Sequence, residues 1–128
     1  MIRIMLKIVF TVNIILLILH EMDAIYWKEW RIFGIVDDHT GRNGFLFVHI
    51  PLFMILLFAL IYSDAAFGWI VSLLMGSFLI AHYFLHRAAL AQGLFDEKTS
   101  FGIISAMLIV SMFQIIVTVI NRFTPTLR

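Results

Sequence analysis

The sequence predicts an all-α integral membrane protein, a four-helix bundle whose first helix extends into the membrane interface. Two observations lead to this fold class. First, 62% of the 128 residues are hydrophobic, the mean hydropathy is +1.03, and only 13% of the residues are charged. Soluble domains are about 45–50% apolar and about 25% charged, so this chain has too few polar side chains to cover a water-soluble globule. Second, four separate stretches have the length of roughly 20 apolar residues that a membrane-spanning helix needs.

We predict spans at residues 4–19, 45–62, 65–85 and 101–120, which form a single transmembrane domain over residues 1–128. Arg3 and Lys7 stand near the start of the first apolar run, as in a signal peptide. However, His20, Glu21 and Met22 stand where a cleavage site would need small residues. We therefore interpret this run as a retained first helix.

The longest polar stretch lies between the first two spans. Residues 20–33 contain neither Gly nor Pro, so we expect the first helix to continue out of the membrane, with Trp27 and Trp30 in the interfacial aromatic belt. Gly34 offers a stop for this helix. Two Asp and two Gly residues within 37–44 then favour a turn-rich loop before the second span.

The two later connections are shorter. Ser63 and Asp64 separate the second and third spans and can cap the third helix, while Gln92 and Gly93 mark the last loop. Lys and Arg residues divide almost evenly between the two ends of the bundle, so the positive-inside rule gives little direction. Asp64 is the one acid on the side of the termini, and we therefore expect a multi-pass plasma-membrane protein with cytoplasmic termini.

Composition also excludes several functions. Nine Lys plus Arg balance eight Asp plus Glu, so we expect no nucleic-acid partner. The absence of cysteine removes disulfides, thiolate metal sites, iron–sulfur clusters and cysteine nucleophiles. Any metal would have to be bound by nitrogen and oxygen ligands.

Four of the five histidines are expected at one end of the bundle. His20 ends the first span, His49 lies near the start of the second, and His82 and His86 lie near the end of the third. In an up-down bundle these three helix ends face the same side of the membrane. Ionisable residues at this depth are energetically expensive, which makes them candidates for a functional site.

Helical spacing places His82 and His86 on one face, where a pair four residues apart can chelate a metal ion. Imidazoles from the other helices and one carboxylate would complete a set of four or five ligands. We predict a divalent metal, zinc or iron, bound by His20, Asp23, His49, His82 and His86, with Glu21 as the candidate catalytic base. The alternative is that these histidines are interfacial residues that do not bind metal together.

Other polar residues have structural explanations. On a continuous helix Glu29 would lie opposite His20, so we expect it to pair at the surface with Lys28 or Arg31. His39 is expected to be solvated. A polar stripe on the fourth span suggests interhelical hydrogen bonding; it consists of Ser111, Gln114, Thr118 and Asn121. A small-residue face on the third span, with Ser72 and Gly76, suggests close helix packing.

The block His20-Glu-Met-Asp-Ala-Ile-Tyr-Trp-Lys-Glu-Trp-Arg-Ile-Phe33, followed by His49-Ile-Pro51, carries a family resemblance. It resembles small multi-pass bacterial membrane proteins of unknown function that are related in pattern to the HXXEE-domain family. That family is named for a histidine followed by paired acids; here Asp23 stands at the first acid position and Ala24 at the second. The resemblance is best over the first half of the chain and implies an enzyme, without a substrate.

The leading functional hypothesis is a metal-dependent hydrolase that acts on a lipid-like substrate at the bilayer surface, because a bound metal can activate water and polarise an ester or phosphate oxygen. Three alternatives remain open. The same residues could form a transport or proton pathway or a non-catalytic metal site. Two imidazoles could instead bind haem, although the acids beside His20 suit a hard or borderline metal better than haem. The chain could also be an oligomer or a small subunit of a larger membrane complex.

Overall fold

The computed structural model describes residues 2–91 and 98–123, and all regular structure in these ranges is helical. The four long helices are α1 (Ile2–Trp27), α2 (Asp38–Ile61), α3 (Ala66–Ala91) and α4 (Lys98–Phe123). Each is long and apolar enough to cross a membrane, which confirms the predicted fold class. The loop expected around Gln92 and Gly93 lies outside the described residues.

The helices run alternately up and down. Arg3 Nε, near the start of α1, lies 3.6 Å from Asp64 Oδ1 in the turn between α2 and α3. The guanidinium of Arg122, near the end of α4, lies 5.4 Å from the centre of the Trp69 ring at the start of α3. We call this end of the bundle the terminal end. The predicted histidines lie at the opposite end, which we call the site end.

Packing within the bundle is uneven. α4 packs along both α1 and α3, whereas α2 packs mainly on α3 and makes only sparse contact with α1. In the most apolar window of α2, 11% of residues are buried inside the protein, compared with 33% for α1 and for α4. A surrounding bilayer would therefore cover a larger share of α2 than of α1 or α4.

A buried polar network joins α1, α3 and α4 within the bundle. Asn13 Nδ2 donates to Gln114 Oε1 at 2.7 Å, and Gln114 Nε2 donates to the backbone oxygen of Ser72 at 2.9 Å. The hydroxyls of Ser72 and Thr118 lie 2.9 Å apart, and all four residues are fully buried. These contacts confirm that the polar stripe makes interhelical hydrogen bonds. Close packing of the neighbouring face is confirmed at Gly76, where an added Cβ would meet the side chain of Ile115.

The expected continuous helix through residue 33 is wrong. α1 ends at Trp27, because Lys28 adopts the left-handed conformation (φ 57°, ψ 49°). A short 3₁₀ helix, Glu29–Phe33, follows and ends at Gly34, whose φ of 77° suits glycine. Lys28 Nζ and Arg31 Nη2 both contact the carboxylate of Asp38, at 2.5 and 2.9 Å, and these ion pairs hold the reversed chain against α2.

The expected loop over residues 37–44 is also wrong, because α2 begins at Asp38. The Asp37 carboxylate accepts a hydrogen bond from the Thr40 backbone N–H at 2.8 Å, which caps the helix and lowers the pKa of Asp37. Gly41 lets the helix approach Trp30 so closely that a Cβ there would overlap the indole ring. Trp30 is therefore buried against α2, with 5% exposure, and is not an interfacial anchor.

Candidate functional site

Three of the five predicted ligands meet at the site end of the bundle. His82 Nε2 lies 2.8 Å from His20 Nε2 and 3.0 Å from His86 Nε2. His20 and His86 are 1% and 2% exposed, and His82 is half-buried. His82 and His86 lie on one face of α3, and His20 lies at the same depth on α1, so the three imidazoles are in contact.

The fourth member of the group is Glu29, which the sequence interpretation placed on the opposite face. Its Oε2 lies 3.5 Å from His20 Nε2 and 3.3 Å from His86 Nε2. That interpretation is wrong because the left-handed residue Lys28 reverses the direction of the chain and turns the carboxylate inward. Burial raises the pKa of Glu29, and a hydrogen bond with His86 opposes that shift.

One nitrogen from each histidine and one oxygen from Glu29 all lie within 4.8 Å of one another. We call these four residues, His20, Glu29, His82 and His86, the His/Glu group. Ligands of a tetrahedral ion with bonds of about 2.0–2.2 Å are about 3.3–3.6 Å apart. The four distances given above range from 2.8 to 3.5 Å, so small side-chain adjustments would give the spacing that an ion needs.

Proton positions limit what the group can do by hydrogen bonding alone. An Nε2 atom of a neutral imidazole either donates or accepts, so the three converging Nε2 atoms cannot all be satisfied by one another. A cation would engage every lone pair at once. Among the described residues, Glu29 Oε1 and His20 Nδ1 are buried without a hydrogen-bond partner. Glu29 therefore has a second oxygen available, whereas His20 lacks the outer acceptor that usually orients a metal-bound imidazole.

A cavity of about 580 Å³ lies beside the group, between α1, the 3₁₀ helix, α2 and α3. His20, Glu29 and His82 form part of its wall, and most of the remaining wall is apolar. Val48 and Phe78, which also line it, are more than half exposed, so the cavity reaches the surface between α2 and α3. A molecule entering from the side of the bundle could contact the His/Glu group directly.

His49 and Glu21 line the same cavity but form a separate pair. His49 Nε2 lies 3.0 Å from Glu21 Oε2, and His49 Nδ1 lies 2.6 Å from the backbone oxygen of Phe45. Because a carbonyl oxygen only accepts hydrogen bonds, Nδ1 carries a proton. The contact with Glu21 then needs a second proton, on either the imidazole or the carboxyl group. The pair therefore stores one transferable proton in the cavity wall.

Asp23 also lies outside the group. Its carboxylate accepts a hydrogen bond from the Ser100 hydroxyl at the start of α4. Three positions beyond His20 on a helix, its side chain is rotated by about 60° from the histidine, and α4 lies on that side. The predicted five-residue cluster is thus divided in the structure: His49 and Asp23 have other partners, and Glu29, which was not among the predicted ligands, lies with the three histidines. His39, predicted to be solvated, is exposed on the first turns of α2.

These features define a multi-pass helical membrane protein with a His/Glu group buried at one end of the bundle. A family model described as "Family of unknown function (DUF6713)" matches residues 6–121. The chain belongs to this DUF6713 family. No curated protein and no solved structure matches the chain.

Proposed function

We propose that the protein is a metal-dependent membrane hydrolase that acts on a lipid-like substrate. The observation that supports this most strongly is the convergence of His20, Glu29, His82 and His86 on one point in the wall of an apolar cavity. When bound there, a zinc or iron ion would supply Lewis-acid chemistry at an ester, amide or phosphate oxygen. Imidazole nitrogen and carboxylate oxygen suit both metals.

The cavity supports the choice of substrate. Its volume of about 580 Å³ is in the range of about 300–1,000 Å³ that is typical of small-molecule sites. Phe33, Val48, Phe78 and Leu85 give it an apolar lining. A lipid entering between α2 and α3 would place its hydrocarbon part against these side chains and its polar linkage beside the His/Glu group.

Glu21 and His49 supply the proton transfer in this proposal. Both residues line the cavity, and their contact holds a proton that can be given to a leaving group and taken back from water. Glu21, the predicted base, therefore acts together with His49, and His49 is a proton carrier rather than a ligand. The resemblance of residues 20–33 to the HXXEE-domain family also favours an enzyme.

Geometry makes two of the alternatives less suitable. Imidazoles on opposite faces of a haem iron have nitrogens about 4 Å apart, and the 2.8 Å between His20 and His82 leaves no room for a porphyrin plane. A proton or ion relay across the membrane would need polar groups along its length. The buried residues Leu17, Leu79 and Met107 lie between the His/Glu group and the polar network around Asn13.

One observation favours a second candidate, non-catalytic metal binding. Catalytic zinc sites have three protein ligands and one open position, whereas a set of four side chains resembles a closed structural site. If Glu29 remains bound to the metal, the substrate has no coordination position. The two candidates therefore differ in whether the metal-loaded protein turns over substrate.

The experiment is a hydrolysis assay on protein purified in mild detergent, with carboxylic-ester and phosphate-ester lipids. We expect turnover that is lost on chelation and restored by zinc or iron. Glu21→Gln should retain the metal and lose most of the rate, and His39→Leu serves as the matched control with an unchanged rate. A protein that holds one metal ion per chain but hydrolyses none of these lipids would support the non-catalytic candidate.

Orientation is part of the same proposal. We propose that the protein lies in the plasma membrane with cytoplasmic termini, so that the His/Glu group faces the other side. Reporters fused after Arg128 and inserted near Gly41 should give opposite signals, with the cytoplasmic signal at Arg128. A cytoplasmic signal at Gly41 alone would reverse the orientation.

A further inference from the structure

We propose that the terminal end of the bundle carries a second site, which binds the phosphate of an anionic lipid headgroup. A small cavity of about 70 Å³ is enclosed there by the start of α1, the turn between α2 and α3, and the end of α4. It is lined by Arg3, Ser63, Asp64, Trp69 and Arg122, among others. This end is opposite the His/Glu group, so the inference is independent of the proposed hydrolase function.

Ser63 is the residue that points to a ligand. It is 2% exposed, and its hydroxyl has no hydrogen-bond partner among the residues that the structure describes. A buried hydroxyl without a partner is unfavourable, so such a group in a cavity wall favours an occupant that can accept its proton. The hydroxyl was expected to cap α3, and no capping bond from it is seen within the described ranges.

The charges around the cavity favour an anion. Arg3 and Arg122 bring two positive charges, and Asp64 brings one negative charge. The Arg3–Asp64 contact is 3.6 Å long and both side chains are about half exposed, so this ion pair is weak and can open. α3 begins at Ala66, directly after the turn, and a helix start adds partial positive charge and backbone N–H donors.

The geometry of the arginines suits phosphate. The Arg122 guanidinium lies 5.4 Å from the centre of the Trp69 ring, and both residues line the cavity. An arginine fork binds two phosphate oxygens at once, and Ser63 can donate to a third. With a volume of about 70 Å³, the cavity has room for one phosphate group.

The position in the fold favours a lipid over free phosphate. The cavity lies where the ends of three apolar helices meet, and the exposed side chains of Ile4 and Phe67 can contact acyl chains nearby. Basic pockets between transmembrane helices commonly bind anionic headgroups. We therefore assign the site to an anionic phospholipid with an exposed phosphate, such as phosphatidylglycerol.

The test measures lipid binding to the full chain in detergent, with phosphatidylglycerol, phosphatidylcholine and inorganic phosphate as separate probes. We expect phosphatidylglycerol to bind at least tenfold more tightly than the other two. Arg122→Gln and Ser63→Ala should each weaken that binding by at least threefold. Lys7→Gln, which removes a charge on the same helix as Arg3 but outside the cavity lining, should change it by less than twofold.

Three results would overturn the inference. If phosphatidylglycerol and phosphatidylcholine bind equally, the site does not recognise the charge of the headgroup. If inorganic phosphate binds as tightly as phosphatidylglycerol, the ligand is not specifically a lipid. A Lys7→Gln effect as large as that of Arg122→Gln would reduce the site to a diffuse surface charge. Ser63→Ala removes only a hydroxyl, so it remains informative if the arginine variant fails to fold. Metal content should not change in any of these variants, which separates this test from that of the hydrolase.

Discussion

Glu29 Oε2 lies 3.5 Å from His20 Nε2, although the two residues would point in opposite directions on an uninterrupted helix. Nine positions along a regular α-helix rotate a side chain by about half a turn. The left-handed backbone of Lys28 interrupts the helix and returns the carboxylate to the three imidazoles. The composition of the His/Glu group therefore depends on one backbone conformation.

The first prediction concerns that conformation. We expect Lys28→Gly to keep the metal and Lys28→Val to lose much of it, because a left-handed residue with a branched Cβ is disfavoured by about 1–2 kcal/mol. Both variants lose the ion pair between Lys28 and Asp38, so comparing them isolates the backbone effect. Thermal unfolding and elemental analysis of both proteins provide the measurement. Equal metal content and equal Tm would show that the turn is not needed.

The second prediction separates stability from metal binding at Glu29. In chelator-treated protein at pH 7.5, we expect Glu29→Gln to unfold at a higher temperature than the parent. The reason is that a neutral amide avoids the free-energy cost of burying a charge. With metal present the order should reverse, since the variant lacks a charged ligand. A variant less stable under both conditions would show that the carboxylate stabilises the fold without a metal.

The third prediction is the pH dependence of that difference. The pKa of Glu29 is raised by burial, so in the folded protein the carboxyl takes up a proton at higher pH than in the unfolded chain. The free-energy cost of burying the ionised Glu29 carboxylate is fully present above the folded-state pKa. It decreases as the pH falls through that pKa and is absent well below the unfolded value of about 4.5. The Tm advantage of Glu29→Gln in metal-free protein should therefore shrink on acidification; an advantage that grows towards low pH would contradict the burial explanation.

The fourth prediction uses two glycines of α2 as a matched pair. A Cβ at Gly41 would overlap the Trp30 ring, whereas a Cβ at Gly44 meets nothing within 4 Å. We expect Gly41→Ala to displace Trp30 and, through the same 3₁₀ helix, Glu29, which shifts tryptophan fluorescence and lowers metal affinity. Gly44→Ala should leave both unchanged and stabilise the helix by about 0.5–1 kcal/mol. Identical metal affinity in the two variants would show that Trp30 does not position Glu29.

The fifth prediction concerns the buried network. Gln114→Leu removes an acceptor from the Asn13 amide N–H and a donor from the Ser72 backbone oxygen. We therefore expect the free energy of unfolding to fall by about 1–2 kcal/mol. Metal content should stay unchanged, because the buried apolar residues Leu17, Leu79 and Met107 separate the network from the His/Glu group. Met112→Leu, on the exposed face of α4, is the control and should change neither quantity. Metal loss in Gln114→Leu would indicate coupling between the two regions.

Much of the fold follows from the sequence because hydrophobic length and helical periodicity depend on local composition. The same periodicity places His82 and His86 on one face, and span order places His20 at the same depth. The course of residues 28–44 could not be predicted in this way, because it depends on contacts between distant parts of the chain. The chain reverses direction at Lys28, which is neither Gly nor Pro, and the packing of Trp30 against Gly41 stabilises this turn.

Sequence also leaves the partner of each ionisable residue open. Asp23 and His49 have suitable chemistry and depth for the cluster, but the first lies beside Ser100 and the second beside Glu21. A rotation of about 60° on α1 and the outward position of α2 determine these pairings. The rotation follows from residue spacing, but the positions of α4 and α2 around α1 do not.

The most direct test is elemental analysis of protein purified in mild detergent without added metal, comparing the parent with His82→Leu and His39→Leu. Metal binding by the His/Glu group predicts about one zinc or iron ion per chain in the parent and in His39→Leu, and almost none in His82→Leu. It also predicts a lower Tm for His82→Leu, because the folded protein then loses a stabilising ligand. A His82→Leu protein with as much metal and the same Tm as the parent would contradict it.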